Sequence, residues 1–167
     1  MKAALLFYLL FAMTNTPPAH VNNSFRFLVH APLSRAAPLF GPEGERCWAG
    51  PRWNPQFLHP QPGKDALGAV FTVQHGSHTS VWVNTVFDPF AGRMQYVAFI
   101  PDKVVSIIDV RLTAIDRLST TVEVTYARTA LNIAANYEVE IMGKRDRESG
   151  ADWQQAINQC LQGQSAS

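Results

Sequence analysis

The sequence carries almost no net charge, very little cysteine and no hydrophobic run long enough to cross a bilayer. Fourteen Lys and Arg stand against thirteen Asp and Glu, a formal charge of +1. A nucleic-acid-binding domain normally shows a basic stripe or patch, so this balance argues against nucleic acid as a partner. The densest charge run, Lys144-Arg145-Asp146-Arg147-Glu148, mixes its signs and reads as a solvated helix face. Cys47 and Cys160 are the two cysteines, and no Cys-x-x-Cys spacing exists, so a zinc or dithiol redox centre has no support. Two cysteines allow one bridge, yet Cys160 falls on the apolar stripe of a C-terminal helical pattern, which favours small, buried, free thiols. A Gly-rich phosphate loop, a Gly-x-Ser-x-Gly elbow and a His-Glu-x-x-His pair are all missing. The common kinase, hydrolase and metalloprotease readings fail here, and no cofactor or metal is implied. No repeat at a period of roughly 20–50 residues is visible, which removes solenoids and propellers.

What is present is apolar: 47% of 167 residues are hydrophobic and 16% charged. That length fits a single domain of about 100–200 residues with a sizeable core. Residues 1–20 form an apolar segment and a flexible lead, 21–163 the domain, and 164–167 a tail. The run from Ala3 to Met13 behind Lys2 is too short for a membrane span, which needs about 20 residues. It has the length of a signal-peptide core, but its small-x-small site is poor. Two alternatives stay open, a start at Met13 or a short docked helix. The protein is exported under the first reading and cytoplasmic if Met13 begins it.

Alternation with a period of two marks the strands. Phe25, Phe27, Val29 and Ala31 share one face of a first strand, and Pro32 opens a short helix through Phe40. From Gly41 to Lys64 the chain is rich in Pro and Gly yet carries Trp48, Trp53, Phe57 and Leu58, so it is expected to be pinned on the core. Five strand signals follow at short intervals, 68–75, 79–88, 94–100, 104–116 and 120–131. Gly76-Ser77 turns the first of them and Pro101-Asp102-Lys103 a later one. Phe71 and Val73 share a face; Val122, Val124, Tyr126 and Arg128 share another. The period then changes. Trp153, Ala156, Ile157, Cys160 and Leu161 form a helical stripe, preceded by a helical stretch around 134–147. A break near Gly143 or Ser149-Gly150 is left open. One sheet with one wet face must cover its other face, and the terminal helix is the element long enough to do so. The expected fold is α+β, a curved antiparallel sheet wrapped around a long C-terminal helix with an apolar cavity between them.

Three stretches carry a family likeness: Ala31-Pro32-Leu33-Ser34-Arg35-Ala36-Ala37-Pro38-Leu39-Phe40; Gly44-Glu45-Arg46-Cys47-Trp48-Ala49-Gly50 with Trp53-Asn54-Pro55; and Thr125-Tyr126-Ala127-Arg128-Thr129-Ala130-Leu131 leading to the helix of Trp153. With them the chain resembles the helix-grip superfamily, called SRPBCC or START-like, and a polyketide cyclase/dehydrase-like bacterial subgroup of it. The resemblance covers roughly residues 24–163. It implies a cavity for a hydrophobic ligand and supplies no universal catalytic residue.

The candidate ligand-binding residues are Trp48, Trp53, Phe57, Phe71, Trp82, Asn84, Tyr126, Arg128 and Trp153. Trp48, Trp53 and Phe57 are placed at the cavity mouth, or else they simply cap the sheet. Asn84 shares a strand face with Trp82 and would orient a ligand carbonyl if that face is concave. Arg128 either binds a carboxylate or reaches water or a helix acid such as Glu138. Glu45 is a candidate partner for Arg128, or an acid/base if buried; a lone loop Glu is ordinarily solvated. His75 and His78 flank the hairpin and lack a third metal ligand. Binding of a small hydrophobic molecule, a lipid, isoprenoid or aromatic metabolite, is the first expectation. A cyclase- or aromatase-like enzyme is the second, and a groove for a protein segment the third. The oligomeric state is not legible.

Overall fold

The computed structural model describes residues 16–165; the apolar run from Ala3 to Met13 lies outside them. Seven strands make one antiparallel sheet: β1 (His20–Val29), β2 (Gln56–His59), β3 (Val70–His75), β4 (His78–Asp88), β5 (Arg93–Ile100), β6 (Val104–Ala114) and β7 (Thr120–Ala130). Their order in space is β1-β7-β6-β5-β4-β3-β2, so the chain meanders from β2 to β7 and β1 pairs back onto β7. A short helix α1 (Leu33–Ala36) leaves β1, and two 3-10 turns follow at Ala37–Phe40 and Gly44–Cys47. The chain ends in two helices, α2 (Asn136–Glu148) and α3 (Gly150–Ser165).

The six strands expected by alternation are all present. The seventh, β2, falls inside the Pro-rich segment, where its four residues pair Phe57 with Phe71 at the sheet edge. The C-terminal helix is divided at Ser149, which settles the open question of the break in favour of Ser149-Gly150 over Gly143. Gly143 serves another purpose. A Cβ there would press on Val21 and on the Asn23 amide, so glycine brings α2 close to β1.

Inward residues of neighbouring strands line up in rows across the sheet. One row runs Met94, Val110, Val124 and Phe25, and the next Leu112, Val122 and Phe27. Both rows are buried and filled by large apolar groups. Trp153, Ile157 and Leu161 of α3 lie on them, with Trp153 edge-on to Phe25 at 5.3 Å between ring centroids. Gln154 and Asn158 of the same helix bind the backbone of Leu28 and His30, so part of the free edge of β1 is covered.

The remaining rows are different. Trp82, Ala98, Ser106 and Arg128 form one, and Asn84, Tyr96, Ile108 and Tyr126 the next. Ala98 and Ser106 are too short to reach the helix above them. The cavity begins there.

Candidate functional site

Two adjacent chambers lie between the sheet and its covering elements. The inner one, about 190 Å³, is walled by the indoles of Trp48, Trp53, Trp82 and Trp153. Its floor is Tyr96, Ile108 and Val110 from the sheet, and Tyr126 and Glu45 complete it. The outer chamber, about 390 Å³, opens between His75 and His78 of the β3–β4 hairpin and Glu138 and Met142 of α2. Ser80, Ser106 and Arg128 make it the more polar of the two. Trp82 and Tyr126 line both and so form the waist.

Each wall has a local cause. The 3-10 turn Gly44–Cys47 is clamped from three sides. Asp65 accepts the backbone N–H of Glu43 at 2.7 Å and of Gly44 at 3.3 Å. A Cβ on Gly44 would run into the Pro38 carbonyl, so only glycine lets the turn sit this close. Arg46 donates to Glu43, Asn54 and the Pro55 carbonyl and holds the loop behind the turn. The Trp48 indole donates to Leu39 O at 2.7 Å and that of Trp53 to Pro42 O at 2.9 Å, which satisfies both polar edges as their faces turn inward. Cys47 is joined by a disulfide to Cys160 of α3. This corrects the expectation of two free thiols: Cys160 does lie on the apolar stripe, but the docked turn brings Cys47 against it. The bridge ties the turn bearing Glu45 to the helix bearing Trp153.

Arg128 is held rigidly. It donates to both Asp146 carboxylate oxygens at 2.7 Å and to Ser106 Oγ at 2.8 Å, and its guanidinium lies 4.4 Å from the centre of the Tyr126 ring. The side chains of Arg128 and Asp146 are only 15% and 8% exposed, so the pair is largely withdrawn from water. The helix acid is therefore Asp146 rather than Glu138 or Glu45. Glu138 instead meets Lys103 at 3.0 Å at the entrance, and Lys103 Nζ also lies 2.9 Å from His78 Nε2. Asp146 belongs to a charge run expected to be solvated. In fact it is buried on the face of α2 that also carries Val139 and Gly143.

Of the nine candidate residues, six line the chambers: Trp48, Trp53, Trp82, Tyr126, Arg128 and Trp153. Phe57, Phe71 and Asn84 do not. Phe71 is fully buried behind Trp82, stacked on it at 5.9 Å, with Phe57 beyond it at 5.6 Å. Asn84 is also fully buried, and its amide donates to Ala66 O rather than facing a ligand space. Below Asn84 the β4 register slips at Thr85, and the loop before β3 folds over this end of the strand.

Two further groups line the site: Tyr96, which was not among the candidates, and Glu45, which was weighed only as a partner of Arg128 or an acid/base. Tyr96 follows the alternation of β5 between Met94 and Ala98, a signal that could have found it. It is 3% exposed, and its hydroxyl has no hydrogen-bond partner. Glu45 is half-buried on its turn, and the sequence gave no signal of its place on the wall. Desolvation, with the nearby Asp65 charge adding to it, holds its carboxyl well above the ordinary value of 4.5. Desolvation likewise raises the Tyr96 phenol, with the charges of Glu45 and Asp65 acting in the same direction. Burial raises Tyr126 too, and the Arg128 cation beside it works in the opposite sense. Among the described residues no cluster of three or more His, Cys, Asp or Glu is placed to hold a metal.

A curved antiparallel sheet gripping C-terminal helices over a mixed aromatic and polar cavity defines a helix-grip domain. The chain has the fold of the SRPBCC/START-like superfamily. Norcoclaurine synthase from Thalictrum flavum superposes with a TM-score of 0.61 at 11% identity, over 96% of this chain and 98% of that one. The Zhui aromatase/cyclase from Streptomyces sp. R1128 gives 0.60 at 14% identity, over 84% and 92%. An uncharacterized protein from Rhizobium leguminosarum gives 0.61 at 14%, over 85% and 97%. No family model and no curated protein matches the sequence.

Proposed function

We propose that this protein binds a small, flat, largely apolar molecule, with its ring system among the tryptophans and its polar end toward Arg128. The observation that carries the reading is the inner chamber itself, where four indoles face one space. An apolar cavity of roughly 150 Å³ takes up benzene. At about 190 Å³ the inner chamber has room for a body of one or two rings, which suits an aromatic metabolite better than a long lipid. Apolar contact supplies affinity at about 25 cal/mol per Å² buried, and polar groups at the waist fix orientation. One structure of the Thalictrum synthase was solved with dopamine and hydroxybenzaldehyde, ligands of similar size and shape.

A cyclase-like or other proton-transfer enzyme is the second reading, and one observation favours it. Glu45 is a titratable group on the cavity wall with a displaced pKa, a feature that active sites share. The disulfide supports work in an oxidising compartment, where such bonds persist. The test is native mass spectrometry of the purified chain with extraction of any bound molecule, followed by titration with indane read by tryptophan fluorescence. A stoichiometric aromatic adduct, or saturable quenching that is weakened in Trp82→Ala, supports the reading. A clean apo mass together with no saturable indane binding rejects it.

A further inference from the structure

Besides indoles and aliphatic groups, the inner chamber is lined by Glu45, Tyr96 and Tyr126, and the first two have no partner. Tyr96 lines the floor, and its buried hydroxyl has no hydrogen-bond partner. Buried hydroxyls are nearly always paired, because leaving one unmade costs folding free energy. The Glu45 side chain, on the wall of the same chamber, forms no ion pair or hydrogen bond with any described residue. Arg46, next to it in sequence, is turned away to Glu43, Asn54 and Pro55. Arg128 is engaged by Asp146 and Ser106. No cation thus stands ready to hold Glu45 as a carboxylate, and a neutral carboxylic acid donates one hydrogen bond.

We propose that Glu45 and Tyr96 form a paired hydrogen-bond donor site for the carbonyl oxygen of a flat cyclic ketone or aldehyde lodged among the tryptophans. The proposal rests on the cavity-binding reading and names the chemical class of its ligand. A phenol and a carboxyl with a raised pKa, both lining one chamber among four indoles, are suited to an accepting oxygen. Neither must give up another partner to bind it, and a hydrogen bond is stronger where water is excluded. Desolvation and the Asp65 charge keep the acid protonated to higher pH, with Tyr96 and Tyr126 the other ionisable groups facing it. An anionic ligand oxygen would be met by the same acidic surroundings, which favours a neutral carbonyl.

The matched probes are 1-indanone and indane, which share a bicyclic frame and differ in the carbonyl. Tyr96→Phe is expected to weaken 1-indanone about 3- to 10-fold, the worth of one hydrogen bond, and to leave indane within about twofold. Glu45→Leu should do the same, whereas Glu45→Gln should retain 1-indanone because an amide still donates. The carbonyl stretch of ¹³C-labelled 1-indanone should lie lower in the wild type than in Tyr96→Phe. Indane binding by each variant reports that the cavity is still formed. The donor pair is overturned if Tyr96→Phe and Glu45→Leu leave 1-indanone and its stretch unchanged, or if Glu45→Gln weakens it as much as Glu45→Leu. If neither probe binds the wild type, the cavity-binding reading falls, and the donor pair with it.

Discussion

The two ends of the sheet face the same pair of helices and are built on opposite terms. Under α3, rows of Phe25, Phe27, Met94, Val122 and Val124 pack against Trp153 and Ile157, and only the far side of Trp153 borders the inner chamber. Under α2, Ala98 and Ser106 fall short, and the gap is spanned by Arg128 reaching to Asp146. The filled end gains stability from apolar packing, which tolerates no voids. An ion pair withdrawn from water is a poor source of stability, since desolvation offsets its Coulomb gain. What it does provide is a strut, which holds helix and sheet apart while a cavity remains. The fold thus separates the part that keeps it together from the part that leaves room.

That contrast can be broken from either side. The largest effect is expected at the filled end, where Trp153→Ala should cost about 3–5 kcal/mol in a urea unfolding curve, by loss of buried area plus a cavity. At the strut, Arg128→Met should cost about as much, roughly 3–5 kcal/mol, by leaving Asp146 buried without its partner. The double variant Arg128→Met/Asp146→Leu should recover most of that stability and still shrink the outer chamber, so stability and probe uptake would part company. If the double variant is as unstable as the single one, the strut account is wrong. Next comes the disulfide: Cys47→Ala/Cys160→Ala should lose about 2–5 kcal/mol, with the inner chamber affected more than the outer one. Trp82→Ala at the waist should weaken indane about tenfold, or roughly 1.4 kcal/mol, while shifting the unfolding midpoint less than Trp153→Ala.

The smallest effect is a pH dependence. Burial raises the Glu45 carboxyl, so above pH 4.5 the native state holds a proton that the unfolded chain has released. Stability then falls as pH rises, from the ordinary value up through the folded one. Glu45→Gln should reduce that slope. Asp65, raised by the same cause, would leave part of it in place.

The filled end was the more legible of the two. Strand alternation placed Phe25, Phe27, Val122 and Val124 on the inner face, and the helical stripe placed Trp153 and Ile157 against them. Tyr126 was read by the same rule, whereas Trp82 was left open because Val81, Val83 and Phe87 make the other face of its strand apolar as well. Asn84 followed that rule onto the inner face and still missed the cavity, because the bulge at Thr85 and the loop before β3 bury it. The remaining misses are long-range. Glu45 lies between glycine and arginine in a loop, and only docking of that loop through Asp65, Pro38 and Cys160 puts it on a wall. Asp146 was hidden by its neighbours, four charged residues in a row with it. Its spacing from Val139 and Gly143 is nonetheless that of one helix face, and a test for helical period inside charge runs would have found it.

The disulfide makes the oxidised chain a ring with a long arm before Cys47 and a short tail after Cys160. Residues 47 to 160 form the ring, which contains β2 through β7, all of α2 and most of α3; β1 and α1 belong to the arm. When the oxidised protein unfolds the ring persists, and the arm and the short tail after Cys160 swing free. Yet the arm carries the strand on which both helices come to rest. Folding from that state is therefore a capture, in which a loop already holding its own ends close must take in one strand beside β7. A protease cut within the ring leaves one covalent molecule, while a cut between Phe40 and Cys47 leaves two pieces joined by the sheet and the packed aromatic rings alone.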